Sequence, residues 1–365
     1  MPPANSSVAS TSTLWRSVDA LIDRAPGLGS LQAHGVLLLA AQRYRAVGRP
    51  LPEAVLQAER TARVGALSVP ALLARARSAY SGRMIVFKGP VVANMYPHSA
   101  RAFVDVDLLV DDATAAQRQL IAAGFFEVEE PELFADIHHL RPLMWPGLPL
   151  KVEVHSRPKW PDGLEAPAND ELFAEAVDGH AGVEGVLWPA RAHHAMLLAA
   201  HGWAHSPLRS LRDLIDVAAV SDRLDRAELA ALARRWDLER VWRATTRGID
   251  SILLEACRRP MSTRLWAAHL PAARERTVLE THLEHWIGPL WGLPPRAAIA
   301  QGVGSFVYDL KPVAGEPWRD KLKRTCYALR RSAVPRSEHE EQLGEMATRG
   351  DLGRIIRERR AEAGR

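Results

Sequence analysis

The chain has 365 residues, 47% hydrophobic and 25% charged, the make-up of an ordinary folded protein rather than a disordered one. Its net charge is only +4, with 41 of 47 cationic residues arginine, a thin positive balance that argues against a large nucleic-acid footprint. Two distant cysteines, Cys257 and Cys326, exclude a disulfide framework and a cysteine-rich zinc site, and no apolar run approaches the ~20 residues of a membrane span.

Residues 1–12 are Ser/Thr/Pro-rich, lack the basic-then-apolar order of a signal peptide and are expected to be disordered. A cytoplasmic, reduced setting is therefore the expectation. Residues 13–82 carry a helical period, in LWRSVDALID, in LQAHGVLLLAAQRYRAV and in a long stretch from Leu51 to Tyr80, punctuated by APGLGS and GRP. Residues 83–188 change character and read as an α/β core. MIVFKGP at 84–90 is a short apolar strand closing on a Lys-Gly turn, and VVANMY after it can form a helical turn or two. FVDVDLLV at 103–110 is a strand, and DDATAAQRQLIAAG is a helix opened by Asp111 or Asp112 and ended by Gly124. FFEVE reads as a strand, then IHHLRPLMW and LPLKVEVH as a hairpin around Pro146-Gly147. From 189 to 335 the helical period returns without a strand signal, its tryptophans reading as packing anchors, and a charged tail of 336–365 follows.

The chemistry concentrates in the core. On a strand, residues two apart share a face, so Asp105 and Asp107 project side by side. Two anions that close raise each other's pKa unless a cation joins them, and Mg²⁺ or Mn²⁺ suits such oxygen ligands. Glu153 and His155 share a face of KVEVH by the same spacing. Gly89 permits close backbone approach to a phosphate, and Lys88 adds a mobile positive charge. An Asp-x-Asp alone is common on solvated strands; the Lys-Gly turn before it and Glu153 after it give it the context of a nucleotide site. His201 and His205 lie four apart on a helix but lack the HExxH glutamate, so they read as cleft-lining or packing residues rather than a zinc site. Arg209, Arg212, Asp213 and Asp216 read as salt-bridged helix surface.

The segments FKGPVVANMYPHSARAFVDVDLLV, IHHL at 137–140 and KVEVH, with AHGV at 33–36 and SLRDLIDV at 210–217, resemble the uncharacterised bacterial nucleotidyltransferase-like family of the polymerase-β superfamily. The resemblance implies an α+β fold: a small mixed sheet with helices on one side, flanked here by the N-terminal helices and a C-terminal helical bundle. It implies metal-binding, catalytic carboxylates at Asp105, Asp107 and Glu153, with Gly89 in the phosphate-binding turn. Arg101 stands where the family has an arginine ahead of its Asp-x-Asp, there to meet phosphate beside Lys88 or to brace the loop. Pro90 departs from the superfamily's Gly-Ser or Gly-Gly turn, although proline is tolerated at a first helical position. The implied activity is Mg²⁺- or Mn²⁺-dependent transfer of an NMP from an NTP to a hydroxyl or other nucleophile, releasing pyrophosphate. The acceptor is a small molecule, peptide or protein ahead of nucleic acid. Three rivals stand beside it: a phosphotransferase on the same site, releasing NDP; a glycosyltransferase, which would need a longer series of βα units before its Asp-x-Asp; and a non-catalytic binding module.

Overall fold

A computed structural model describes residues 8–128, 139–179, 182–312 and 315–337. Seven strands form one mixed sheet: β1 (Met84–Val86), β2 (Asp105–Val110), β3 (Phe126–Glu127), β4 (Leu143–Met144), β5 (Lys151–His155), β6 (Val177–Asp178) and β7 (Leu187–Trp188). Their order across the sheet is β3-β4-β5-β2-β1-β7-β6. The pairs β2–β5 and β1–β7 are parallel, and the remaining pairs are antiparallel. The fold is thus α+β with a mixed sheet, as the sequence led us to expect.

The sequence explains why the sheet is buried on both sides. In β2, Val106, Leu108 and Val110 point to one face and join Val152, Val154, Met84 and Val86 in an apolar cluster. The C-terminal part of the helix Glu53–Ala79 and the helix Ala113–Ala122 close that face with Leu72, Leu73, Ala76 and Leu120. Each fully buried Val or Leu here contributes about 1.5–3 kcal/mol of hydrophobic stabilisation. Ile85, Phe87 and Leu109 point the other way, into a second cluster built from the N-terminal and the C-terminal helices together. Asp105 and Asp107 share the face of Leu109, by the period of two. They therefore lie where the sheet meets the helices from both ends of the chain.

Local signals set several boundaries. Asp112 caps the helix Ala113–Ala122, accepting a hydrogen bond from the Ala115 N–H at 2.8 Å, and Gly124 follows its end at φ +107°. Strands β4 and β5 pair around Gly147, at φ +80°, as the expected hairpin. The stretch expected to be one helix around AHGV is instead two, Leu28–Ala33 and Leu37–Ala46. Gly35 divides them at φ +68°, and a Cβ there would sit 3.0 Å from Arg212 Cδ. The expected strand FFEVE narrows to Phe126–Glu127, and β6 and β7 add a sheet edge that no sequence signal announced. No strand follows Trp188 among the described residues.

Residues 1–7 and 338–365, within the expected disordered N-terminus and charged tail, lie outside the described residues, as do Ile137 and His138; residues 8–12, expected to be disordered, instead begin the helix Val8–Arg24. Of the tryptophans expected to anchor the C-terminal helices, Trp203, Trp236, Trp242 and Trp266 are buried. Among the described residues, no helix is long and apolar enough to cross a membrane.

Candidate active site

Parallel pairing of β2 with β5 places Asp107 opposite Glu153 and Leu109 opposite His155. The strands are held in this register by the apolar residues of the opposite face, so the polar set is carried on a rigid frame. Asp107 is fully buried. Its Oδ1 lies 2.7 Å from Lys88 Nζ and 3.0 Å from His155 Nε2, which lies in turn 3.6 Å from Glu153 Oε2. Its Oδ2 is buried with no hydrogen-bond partner among the described residues. A buried carboxylate oxygen left unpaired costs free energy unless something else fills its lone pairs.

One ligand atom from each of Asp107, Glu153 and His155 lies within 4.8 Å of the others, close enough to share an ion. Two carboxylates, one of them with its orphaned oxygen, suit a hard divalent cation, so the residues present fit the metal that the sequence implied. Asp105 stands outside that tightest group but lines the same cleft, two residues before Asp107 on the same strand face.

The electrostatics separate the three carboxylates. Burial, followed by the charge of Asp107, pushes Asp105 up to about 6. Burial works against Asp107 too, but Lys88 and the His155 hydrogen bond hold it well below the ordinary carboxylate range. At Glu153 the upward push of burial is outweighed by the bond to His155, so its pKa is lowered. Burial acts to lower His155, yet its bonds to Asp107 and Glu153 raise it overall. His155 therefore serves Asp107 more directly than Glu153, the neighbour expected from sequence.

Gly89 opens the five-residue helix Gly89–Ala93, with Pro90 in its first turn. It adopts φ +40°, and a Cβ there would meet the Asp105 carbonyl at 2.9 Å. Only glycine lets this turn lie against the start of β2. Arg101 is buried, and its guanidinium is engaged by Asp216, Nε to Oδ1 at 2.8 Å and Nη2 to Oδ2 at 2.7 Å, while Nη1 reaches the Gly89 carbonyl at 3.4 Å. The Tyr96 hydroxyl completes this group with a 2.6 Å hydrogen bond to Asp216. Asp216, expected on a salt-bridged surface, is a buried anchor between the sheet and the helix Leu211–Ser221.

The helix Arg191–His205 forms the opposite wall. His201 lies 3.4 Å from Lys88 Nζ, and its ring packs edge-on to His205 with centroids 4.4 Å apart. Lys159 Nζ lies 2.9 Å from His205 Nδ1. Burial, then the nearby charge of Lys88, pushes Lys159 down to about 8. Lys159 was not singled out from the sequence, although its rarity was the available signal: it is one of six lysines in a chain of 41 arginines. The cleft among Lys88, Gly89, Asp105, Asp107, His201 and Asp213 has a volume of about 210 Å³.

Residues 28–253 match the model of a family described as an uncharacterised nucleotidyltransferase. No curated protein and no solved structure matches the chain.

Proposed function

The chain belongs to that uncharacterised nucleotidyltransferase family, and from this premise we propose a metal-dependent enzyme that moves an NMP from an NTP to a hydroxyl or other nucleophile, releasing pyrophosphate. The observation that carries the metal dependence is Asp107 Oδ2, a buried carboxylate oxygen beside Glu153 without a hydrogen-bond partner among the described residues. Asp105, Asp107 and Glu153 would hold a divalent ion, Mg²⁺ or Mn²⁺, which when bound neutralises and aligns the triphosphate.

The chain's own groups do the rest. His155 fixes the orientation of Asp107 through its 3.0 Å hydrogen bond. Lys88, whose side chain keeps 13% of its surface accessible, offers a point charge to a phosphate from the same turn as Gly89. Arg101, committed to Asp216 and to the Gly89 carbonyl, braces that turn instead of reaching the nucleotide. Glu153, which shares the tightest ligand group with Asp107, would help take the proton of the incoming nucleophile. The acceptor belongs to the small-molecule, peptide or protein class, since the net charge of +4 offers little to a polyanion.

The test is pyrophosphate release from each NTP with a panel of acceptors, with Mg²⁺, with Mn²⁺ and with EDTA. Wild type is expected to turn over only with metal, and the Asp105→Asn/Asp107→Asn double variant to lose several orders of magnitude, the scale of metal-assisted alignment and charge neutralisation. NDP in place of pyrophosphate would convert the reading to phosphotransfer. A folded double variant as active as wild type would remove these aspartates from the mechanism.

A further inference from the structure

A cavity larger than the acidic cleft lies elsewhere among the described residues. It has a volume of about 840 Å³ and lies between the N-terminal helices and the 90–103 segment. That size is in the range of small-molecule sites, several times what the cleft around Asp107 encloses. Trp15, Leu39, Phe103 and Trp188 give it apolar walls. Pro90, Arg101 and Phe103 form its side toward the cleft, where Gly89, Arg101 and Phe103 line the other space, so the two cavities share a wall.

The rim is built under strain. His98 and Ser99, neither of them glycine, adopt φ +48° and φ +54° in succession. Consecutive left-handed residues persist only where surrounding contacts enforce them, and such strain clusters at ligand sites. Here Gln42, from the helix Leu37–Ala46, clasps the turn by donating a 3.0 Å hydrogen bond to the Pro97 carbonyl.

Charge narrows the occupant. Arg43, Arg45 and Arg101 on the cavity wall are already held by Asp23, Glu59 and Asp216. Arg63 is exposed, where solvent screens it. Asp19 differs from all of these: it is half-buried and accepts no hydrogen bond among the described residues. Burial pushes its carboxyl up, ahead of the opposing charge of Arg43. A cationic group placed against it would relieve that cost.

We propose that this cavity is a binding site for a small organic molecule with an apolar body and a protonated amine, the amine meeting Asp19 and the body lying among Trp15, Phe103 and Trp188. Binding there uses none of the carboxylates of the acidic cleft, so it can be measured apart from nucleotidyl transfer. It is tested without nucleotide or metal by isothermal titration calorimetry, with phenethylamine, tryptamine and cyclohexylmethylamine as probes and phenylpropionate as the anionic control. At least one amine is expected to bind saturably at one site, and phenylpropionate not to bind. Asp19→Asn should weaken the amine about tenfold, the loss of one charge-assisted contact. Ala62→Trp, which fills the cavity from the helix Glu53–Ala79, should abolish binding while thermal melting reports an intact fold. Failure of all three amines to bind saturably, equal binding of phenylpropionate, or unchanged affinity in either folded variant overturns the proposal.

Discussion

Two buried ionic groups lie close together in this molecule, and they are finished differently. Around Asp216 both carboxylate oxygens are used: Oδ1 accepts from the Tyr96 hydroxyl and Arg101 Nε, and Oδ2 accepts from Arg101 Nη2. Around Asp107 the two neighbours Lys88 and His155 both crowd Oδ1, and Oδ2 has no hydrogen-bond partner among the described residues. Buried polar groups are almost always paired, so the closed group is explained by folding alone and the open one is not. Asp216 thus holds the sheet against the C-terminal helices with both carboxylate oxygens engaged, whereas Asp107 keeps Oδ2 open, as the proposed metal role requires. Three isosteric Asp→Asn substitutions probe that division.

Asp216→Asn carries the largest expected effect on stability. It leaves the buried Arg101 guanidinium without its counter-charge and turns an amide N–H₂ toward it. Breaking such a pair typically costs about 3–5 kcal/mol. Urea unfolding should show a lower midpoint at unchanged m-value. A cost under about 1 kcal/mol would mean that the closed group contributes little, and the contrast with Asp107 would lose its meaning.

The sequence disclosed these two groups unequally. Asp105, Asp107 and Glu153 were legible because strands repeat every two residues, so a face can be read from spacing within five or six residues. Their parallel register, with Asp107 opposite Glu153, was not written in either segment alone. Arg101 and Asp216 are 115 residues apart, and a charge on a helix reads the same whether it meets solvent or a buried partner. The clue to Lys159 lay in composition rather than in local pattern. Strands β6 and β7 escaped because two residues carry no periodicity; the break at Gly35, at φ +68° just past a helix end, had its signal in the glycine itself. Local pattern thus reached the residues proposed to face a metal, whereas the brace behind them depends on tertiary pairing.

Asp107→Asn should cost less than Asp216→Asn, about 1–3 kcal/mol, the penalty of leaving one partner unsatisfied. Lys88 loses its 2.7 Å partner but retains the field of Asp105 and some access to solvent. Its effect on ion binding should be much larger. The melting temperature of wild type is expected to rise with millimolar Mn²⁺ by mass action, and that of Asp107→Asn to stay flat. A folded variant that gains as much from Mn²⁺ as wild type would place the ion elsewhere, and the open oxygen would need another explanation.

Asp105→Asn should have the smallest effect, and its sign depends on pH. The folded carboxyl, pushed up to about 6 from an ordinary 3.8, disfavours ionisation. Between those values the metal-free native state binds more protons than the unfolded chain, so this group lowers stability as pH rises through that window. Asp107, held low, contributes in the opposite sense, but it is present in both proteins and cancels from their difference. The variant, lacking the penalty, should therefore match wild type near about pH 4 and exceed it by about 1–2 kcal/mol near pH 7.5, a figure discounted for the part of Asp105 that solvent reaches. Chemical denaturation of both proteins in EDTA across that range measures the difference. Saturating Mg²⁺ should reverse the sign at the upper end, because a bound cation favours the charged carboxylate that the variant lacks. A difference that stays flat with pH would show that Asp105 ionises as an ordinary surface carboxylate, unaffected by its burial and by the charge of Asp107.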